Sequence, residues 1–192
     1  MSIRFTLIGI LGILTAIVAY ASYGSLHNLE NLNRHAIKYR TITVPAVRLL
    51  GEISADIGNF RYVEAEHIFT QDLEKILVKE QELAKILFRI RVHMRDYEAL
   101  IIKAEEIKIY QAFVAGWERY LQLHPIIMDL SRVLRDDEAA VVYEGAMGVL
   151  FDEVTQILDD ALAKQQNTAD QQGNAGQQEC VLSTNANDDL AI

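Results

Sequence analysis

The feature that most constrains the fold of this chain is an uncharged apolar run near the N-terminus. Long charged segments follow it, and the chain contains no second run of this kind. Residues 5–24 read FTLIGILGILTAIVAYASYG and contain no charged side chain. About twenty apolar residues are enough for a helix that spans a bilayer. We therefore expect residues 1–25 to form a transmembrane anchor that holds the rest of the chain at one face of a membrane.

Two interpretations of this N-terminal run remain open. Arg4 precedes the run, which favours an uncleaved anchor whose start stays in the cytoplasm. The tripeptide Ala19-Tyr20-Ala21 is instead compatible with signal-peptidase cleavage after a shorter apolar region. In both cases we expect the domain that follows to be exported.

The composition favours a long-helix protein that does not bind nucleic acid. The chain has 192 residues, a net charge of −9 and only two prolines, Pro45 and Pro125. A strongly acidic chain repels the phosphate backbone, so we expect no nucleic-acid partner. Its single cysteine, Cys180, excludes an intrachain disulfide and a cysteine-based zinc site.

Apolar residues recur at three-four spacing in four successive segments, which cover residues 47–68, 73–97, 102–134 and 140–161. This spacing is typical of helices that pack side by side. The breaks between segments are short and contain capping residues, so sequential helices are expected to be antiparallel. The prediction is an all-α, up-down-up-down antiparallel four-helix bundle over residues 26–170, with a disordered C-terminal tail over residues 171–192. Pro45 and Pro125 are expected to bend the first and third helices.

Arg61 is the most unusual residue of the first stripe, because it places a charge between Ile57 and Ile68. An unpaired charge at a helix seam is costly. One interpretation is an ion pair, with Glu64 or with another helix, that sets the register of the bundle. The other is an arginine reserved for the carboxylate of a ligand, which its bidentate fork suits.

Three residues of the third helix, Trp117, Tyr120 and His124, fall on nearby faces. They are either a bundle core that contains polar-tipped aromatic side chains, or one wall of a ligand pocket. The candidate ligand-binding residues are therefore Arg61, Tyr120, His124 and Trp117.

No pattern in the sequence indicates catalysis, a cofactor or a metal. Glu64 and His67 match the Glu-x-x-His spacing of di-iron bundles, but those sites need a second copy of the motif, which is missing. No nucleophile-base pairing or glycine-rich phosphate loop is visible. We therefore expect a protein that is not an enzyme and that has no cofactor.

A basic cluster ends the second segment, formed by Arg89, Arg91, His93 and Arg95. It is interpreted either as a solvated face or as a contact for anionic lipid headgroups.

Several of these features together resemble the periplasmic four-helix-bundle sensor domain of bacterial methyl-accepting chemotaxis receptors. An N-terminal anchor leads into the first helix, and an arginine, Arg61, lies late in that helix. The other matching features are the step Val44-Pro45, the motif Trp117-x-x-Tyr120, the pair Glu138-Ala139 and Asn167.

The resemblance implies a homodimeric sensor in chemotaxis signal transduction, with its bundle in the periplasm and a single pass through the inner membrane. It implies a small-molecule ligand, an organic acid or amino acid, bound between helices in the membrane-distal half. By position, Arg61 matches the helix-one arginines of such sites, and Tyr120, His124 and Trp117 match facing positions on the third helix.

The chain departs from that family where the receptors continue into a second transmembrane helix, a HAMP linker and a cytoplasmic coiled coil, none of which appears here. We expect the C-terminus to stay on the same side of the membrane as the bundle, because residues 165–178 are too polar for hydrocarbon. The alternative function is a membrane-anchored structural or interaction bundle without a ligand.

Overall fold

The computed structural model describes residues 12–20, 22–23 and 37–188, with side chains near the C-terminal end described up to residue 168 and at 170–171. Within these ranges the structure is almost entirely helical and contains no strand. The predicted anchor at residues 5–24 lies partly outside the described residues, since 5–11, 21 and 24 are not among them.

Four helical positions make up the bundle. The α-helices are α1 (Val44–Ile68), α2 (Leu73–Glu98), α3 (Ala104–Arg132), α4 (Asp136–Glu144) and α5 (Ala146–Asp188). The connections between α1, α2, α3 and α4 are three to five residues long, and such short loops make sequential helices antiparallel neighbours. Helices α4 and α5 together form the fourth position. The prediction of an all-α, up-down-up-down four-helix bundle is confirmed.

The bundle is one compact unit, Ile42–Asn167. Helices α3 and α5 approach closely at Gly116, where an added Cβ would lie 3.0 Å from Cγ2 of Val154. The buried core contains side chains from every helical position, with Ile53, Ile57, Phe60, Ile68, Ile76, Ile86, Ile90, Phe113, Tyr120, Ile127 and Met147 among its most buried members.

The turns at one end of the bundle are fixed by local hydrogen bonds. The carboxylate of Asp72 accepts hydrogen bonds from the backbone N–H groups of Glu74 and Lys75, at 3.0 and 3.5 Å, and so caps α2 as its sequence position predicts. Helix α3 ends in a left-handed residue, Leu134, with φ of 57°. The N–H of Arg135 then reaches back to the carbonyl of Leu130, which is a Schellman ending built without glycine.

The two prolines have different surroundings. Pro45 lies in the first turn of α1, directly after a π-helical turn, Tyr39–Thr43. Proline is tolerated in the first turn because the N–H it lacks has no helical partner there. Pro125 lies inside α3, and the helix continues through it to Arg132.

Gly145 interrupts the fourth position, which the three-four spacing presents as one helix. Its backbone angles, φ −81° and ψ −100°, fall outside the helical region. A Cβ at this position would lie 2.7 Å from the carbonyl oxygen of Val141. Only glycine fits this geometry without a shift of the backbone, so the break depends on this residue.

The last helix is longer than predicted. Helix α5 continues to Asp188, whereas regular structure was expected to end near residue 170. Gln and Ala are good helix formers, and adding residues to an existing helix costs far less than starting one. The residues outside Ile42–Asn167 cluster as a separate unit. Within the described ranges, no helix combines the length and the apolar character needed to cross a bilayer.

Gly145, at the break, and Gly148, three residues after it, give a matched stability test. Gly145→Ala should lower the unfolding free energy by about 1–3 kcal/mol, because the Cβ collides with backbone. Gly148→Ala should raise it by about 0.5–1 kcal/mol, since its Cβ would make only ordinary contacts at 3.6 Å or more. Urea denaturation followed by circular dichroism measures both. A Gly145→Ala variant at least as stable as the parent would show that the break is not needed.

Candidate functional site

A buried carboxylate, Glu64 on α1, lies at the centre of a polar cluster inside the bundle. Its side chain is completely buried, and both oxygens are occupied by residues of α3. The hydroxyl of Tyr120 donates to Oε2 in a short hydrogen bond. Nδ1 of His124 lies 2.6 Å from Oε1. Because Tyr120 and His124 are one helical turn apart, they lie on the same face of α3 and hold the carboxylate between them.

The environment of this cluster shifts the pKa values of its members. Burial raises the pKa of Glu64 above its usual value, although His124, Tyr120 and Arg61 act in the opposite direction. Burial, reinforced by the neighbouring Glu64, also raises the pKa of Tyr120, so this phenol stays protonated and acts as a donor at any physiological pH. The cluster therefore has one fixed donor, Tyr120, on one oxygen of Glu64, and the imidazole of His124 on the other.

Arg61 links the same cluster to the fourth helical position. Its Nη1 lies 3.5 Å from the hydroxyl of Tyr120, and its Nη2 donates to the carbonyl oxygen of Tyr143 at 3.3 Å. The carbonyls in the last turn of a helix have no partner within it, and Tyr143 is in the last turn of α4. The guanidinium also stacks over the rings of Tyr143 and Phe151, at 4.1 and 4.6 Å from their centroids.

The charge of Arg61 has no direct counter-charge. Among the described residues, no carboxylate oxygen lies within 4.0 Å of its guanidinium, whereas Arg48, Arg89, Arg119 and Arg132 each have such a partner. Its nearest contacts are a phenol, a backbone carbonyl and two rings. Arg61 is thus a half-buried cation held by neutral groups.

Aromatic packing holds Tyr120 in position. The ring of Trp117 stacks on that of Tyr120, with centroids 5.1 Å apart and an angle of 13° between the planes. Phe60 packs edge-on against Trp117 at 5.5 Å and lies 5.1 Å from the ring of His124. Trp117 is 3% exposed, so it supports the cluster from within the core.

A second buried network lies one turn further along α1. Nδ1 of His67 is 3.0 Å from the hydroxyl of Ser131, which in turn donates to the backbone carbonyl of His67 at 2.8 Å. Nε2 of His67 is 3.3 Å from Glu80, which also accepts from Nε of Arg132 at 2.7 Å. Burial lowers the pKa of His67, while Arg132 lowers the pKa of Glu80.

The surface of the described part of the bundle includes two cavities of different size. The smaller, of about 270 Å³, lies between α1, α2 and α3 and is bounded by His124. The larger, of about 630 Å³, is an open cleft between the end of α2 and the start of α3. None of the four predicted ligand residues lines the larger cleft. This cleft is therefore separate from the polar cluster, although it is the larger of the two cavities.

Comparison with known proteins identifies the family. Residues 5–180 match the family described as a four helix bundle sensory module for signal transduction. The chain belongs to this family. A search of curated proteins found no match. The family is one of sensory modules for signal transduction and is not an enzyme family.

In this sensory module, two of the four predicted ligand residues, Tyr120 and His124, bind the carboxylate of Glu64. Arg61 is linked to that carboxylate only through the hydroxyl of Tyr120. Trp117 contacts the cluster only by stacking on Tyr120. Their role in ligand binding stays a prediction.

The sequence did not indicate the central role of Glu64 or the contribution of Tyr143. Glu64 was considered a partner of Arg61, but its two oxygens are bound by Tyr120 and His124. The available signal was the position of Glu64 on the apolar stripe of α1, facing a stripe of α3 that contains two polar-tipped residues. Tyr143 could not be found in this way, because its carbonyl is accessible only through the break at Gly145.

The basic cluster at the end of α2 is largely neutralised. Arg89 donates to Asp56 at 2.7 Å, and His93 lies 3.3 Å from the same carboxylate. Arg95 is paired with Asp96. These pairs favour a solvated, ion-paired face over a lipid-binding one. No group of three or more potential metal ligands occurs among the described residues.

The raised pKa of Glu64 gives a pH-dependent stability. A carboxyl whose pKa is higher in the fold than in the unfolded chain stabilises the fold at low pH, and this stabilisation is lost as the pH rises through the folded pKa. The quantity to follow is the unfolding free energy of the parent minus that of Glu64→Gln. This difference should fall as the pH rises above about 4.5. The total fall should be about 1.4 kcal/mol for each unit by which the fold raises the pKa of Glu64. Urea denaturation between pH 4 and pH 8 measures this difference.

Glu66 provides a control whose effect on stability should change with pH in the opposite direction. It pairs with Lys79 at 2.7 Å, and this contact lowers its pKa. The unfolding free energy of the parent minus that of Glu66→Gln should therefore rise with pH. A Glu64→Gln difference that also rises with pH would show that Glu64 is ionised in the fold at a depressed pKa.

Proposed function

We propose that this sensory module is the extracytoplasmic part of a chemoreceptor-like protein that binds a small anionic molecule, an organic acid or amino acid, in chemotaxis signal transduction. The membership of the family supports a role in sensing. The observation that carries the choice of an anion is Arg61, a half-buried guanidinium with no carboxylate within 4.0 Å in the described part of the chain.

The guanidinium of Arg61 is half-buried and lies beside Gly148 on α5. Gly148 on α5 has no side chain, and a Cβ there would be 3.6 Å from Nη2 of Arg61. A carboxylate that approaches past Gly148 would meet the guanidinium with its bidentate geometry. Tyr120, with Trp117 stacked behind it, would hold the guanidinium in place, and His124 would transmit a change in the charge of Glu64 to the opposite side of α3.

The rival function is a structural bundle without a ligand, and one observation favours it. Tyr143 and Phe151 already stack on the guanidinium, and the carbonyl of Tyr143 already accepts one of its hydrogens. Arg61 would then serve only to join α1 to the fourth helical position.

An Arg61 substitution separates the two functions. Acetate, succinate, malate, aspartate and serine are tested as probes by thermal shift and calorimetry on the full-length chain in detergent. At least one anionic probe should stabilise the parent, by about 2.7 kcal/mol at a concentration of 100 times Kd. Arg61→Ala should abolish this effect with little change in helicity.

Arg48→Ala is the matched control, because Arg48 is an exposed arginine of α1 that pairs with Glu52. It should leave probe binding unchanged. Equal binding by the parent and Arg61→Ala would assign Arg61 to structure. No response to any anionic probe would favour the bundle without a ligand.

We also propose that the protein is a homodimer with a single pass through the inner membrane and its bundle in the periplasm. Residues 12–20 are helical, and their large apolar side chains Ile13, Leu14, Ile17 and Val18 are at least half exposed, as in a helix that faces lipid. On α1, nothing lies within 4 Å of a Cβ built at Gly51 or Gly58. A second copy could approach this smooth face closely.

The membrane anchor and the homodimer are tested in one preparation. After expression, membranes are washed with alkaline carbonate, and the protein extracted with detergent is analysed by sedimentation. We expect the chain in the washed membranes and a dimeric mass. Recovery in the carbonate wash would contradict the anchor, and a monomeric mass would contradict the dimer.

A further inference from the structure

The cavity of about 270 Å³ is lined by five apolar residues and by three ionisable ones, Glu80, His124 and Arg132. It lies between α1, α2 and α3, whereas Arg61 contacts α4 and α5. Its volume suits a ligand smaller than a typical drug-sized molecule. The apolar side chains that line it are Phe60, Leu83, Ala84, Leu87 and Met128.

Two polar atoms of this cavity, on His124 and Arg132, have no hydrogen-bond partner among the described residues, and the one on Arg132 is a donor. His124 uses Nδ1 for Glu64, and among the described residues its Nε2 has no hydrogen-bond partner. Arg132 uses Nε for Glu80 and Nη1 for Asp129, both at 2.7 Å, which leaves Nη2 without a described partner.

The acidic group of the cavity is already compensated. Glu80 accepts from Arg132 and faces His67 at 3.3 Å. Its charge therefore attracts a ligand cation less than a free carboxylate would. Donors beside an apolar wall match a molecule with one anionic end and a hydrocarbon body.

We propose that this cavity binds a small apolar monocarboxylic acid, whose carboxylate is received by His124 and Arg132 and whose hydrocarbon part packs against Phe60, Leu83 and Leu87. The site is distinct from the Arg61 face, and it stands or falls independently of the function proposed for that face.

The test uses benzoate as the probe, with benzylamine as a probe of similar shape and opposite charge. Titration calorimetry and saturation-transfer NMR are carried out on the full-length chain in detergent. The parent should bind benzoate and discriminate against benzylamine.

Ala84→Phe blocks the cavity without removing a polar group, because Ala84 is an exposed residue of α2 at its edge. It should weaken benzoate binding by at least about tenfold, the equivalent of 1.4 kcal/mol. Ala112→Phe adds the same bulk at an exposed site on α3 outside the cavity and should bind like the parent.

Ala84→Phe also distinguishes this site from the Arg61 face, because Ala84 lies at the edge of the cavity, which Arg61 does not line. Benzoate binding that is lost in Ala84→Phe and kept in Ala112→Phe supports the cavity site, whatever the result for the Arg61 probes. Binding that is kept in Ala84→Phe, equal binding of benzylamine, or no binding of benzoate by the parent would each overturn it.

Discussion

The buried carboxylate of Glu64 is the interaction on which the arrangement of this bundle depends. A carboxylate transferred to a protein interior without partners is strongly unfavourable. Here Tyr120 and His124 of α3 both contact it, and Arg61 adds a nearby positive charge. Since α1 and α3 must keep this register to satisfy the group, the cluster fixes their relative position more strictly than apolar packing does, because apolar contacts are not directional.

The same cluster extends to the fourth helical position. Arg61 reaches the carbonyl of Tyr143, and the hydroxyl of Tyr143 donates back to the carbonyl of Arg61 at 2.9 Å. These contacts lie beside the break at Gly145, where α4 ends and α5 begins. A charge placed near Arg61 therefore acts at a junction of three helices. Such a junction is the kind of element through which a sensory module couples binding to a change in helix arrangement.

Much of the fold could be predicted from the sequence. The three-four spacing gave four helical positions in antiparallel order, and Asp72 was recognised as a cap. The buried face of α1 was predicted less completely, because Phe60 and His67, which are fully buried, were not identified as core residues. A helix that packs against several neighbours buries a wider face than a two-helix seam. The break at Gly145 was missed, because a glycine inside a continuous apolar stripe is compatible with an unbroken helix.

The candidate site was predictable only in part, for a physical reason. Arg61, Tyr120 and His124 were selected because polar groups on an apolar stripe need partners. The structure places Tyr120 and His124 on one carboxylate and joins Arg61 to it through Tyr120. Which groups pair depends on the rotation and relative height of neighbouring helices, and the spacing along a single helix contains no such information. The sequence therefore left open whether Arg61 pairs with Glu64, whereas the closest partners of Glu64 are on α3.

The central claim is that Glu64 and Tyr120 act as a unit that holds α1 against α3. A double-mutant cycle measures this directly, using the unfolding free energies of the parent, Glu64→Gln, Tyr120→Phe and the double variant at pH 7. We predict a coupling energy of about 1–3 kcal/mol, as found for residues that share one buried network. Effects of the two substitutions that add within about 0.3 kcal/mol would contradict the account, because the two side chains would then contribute independently.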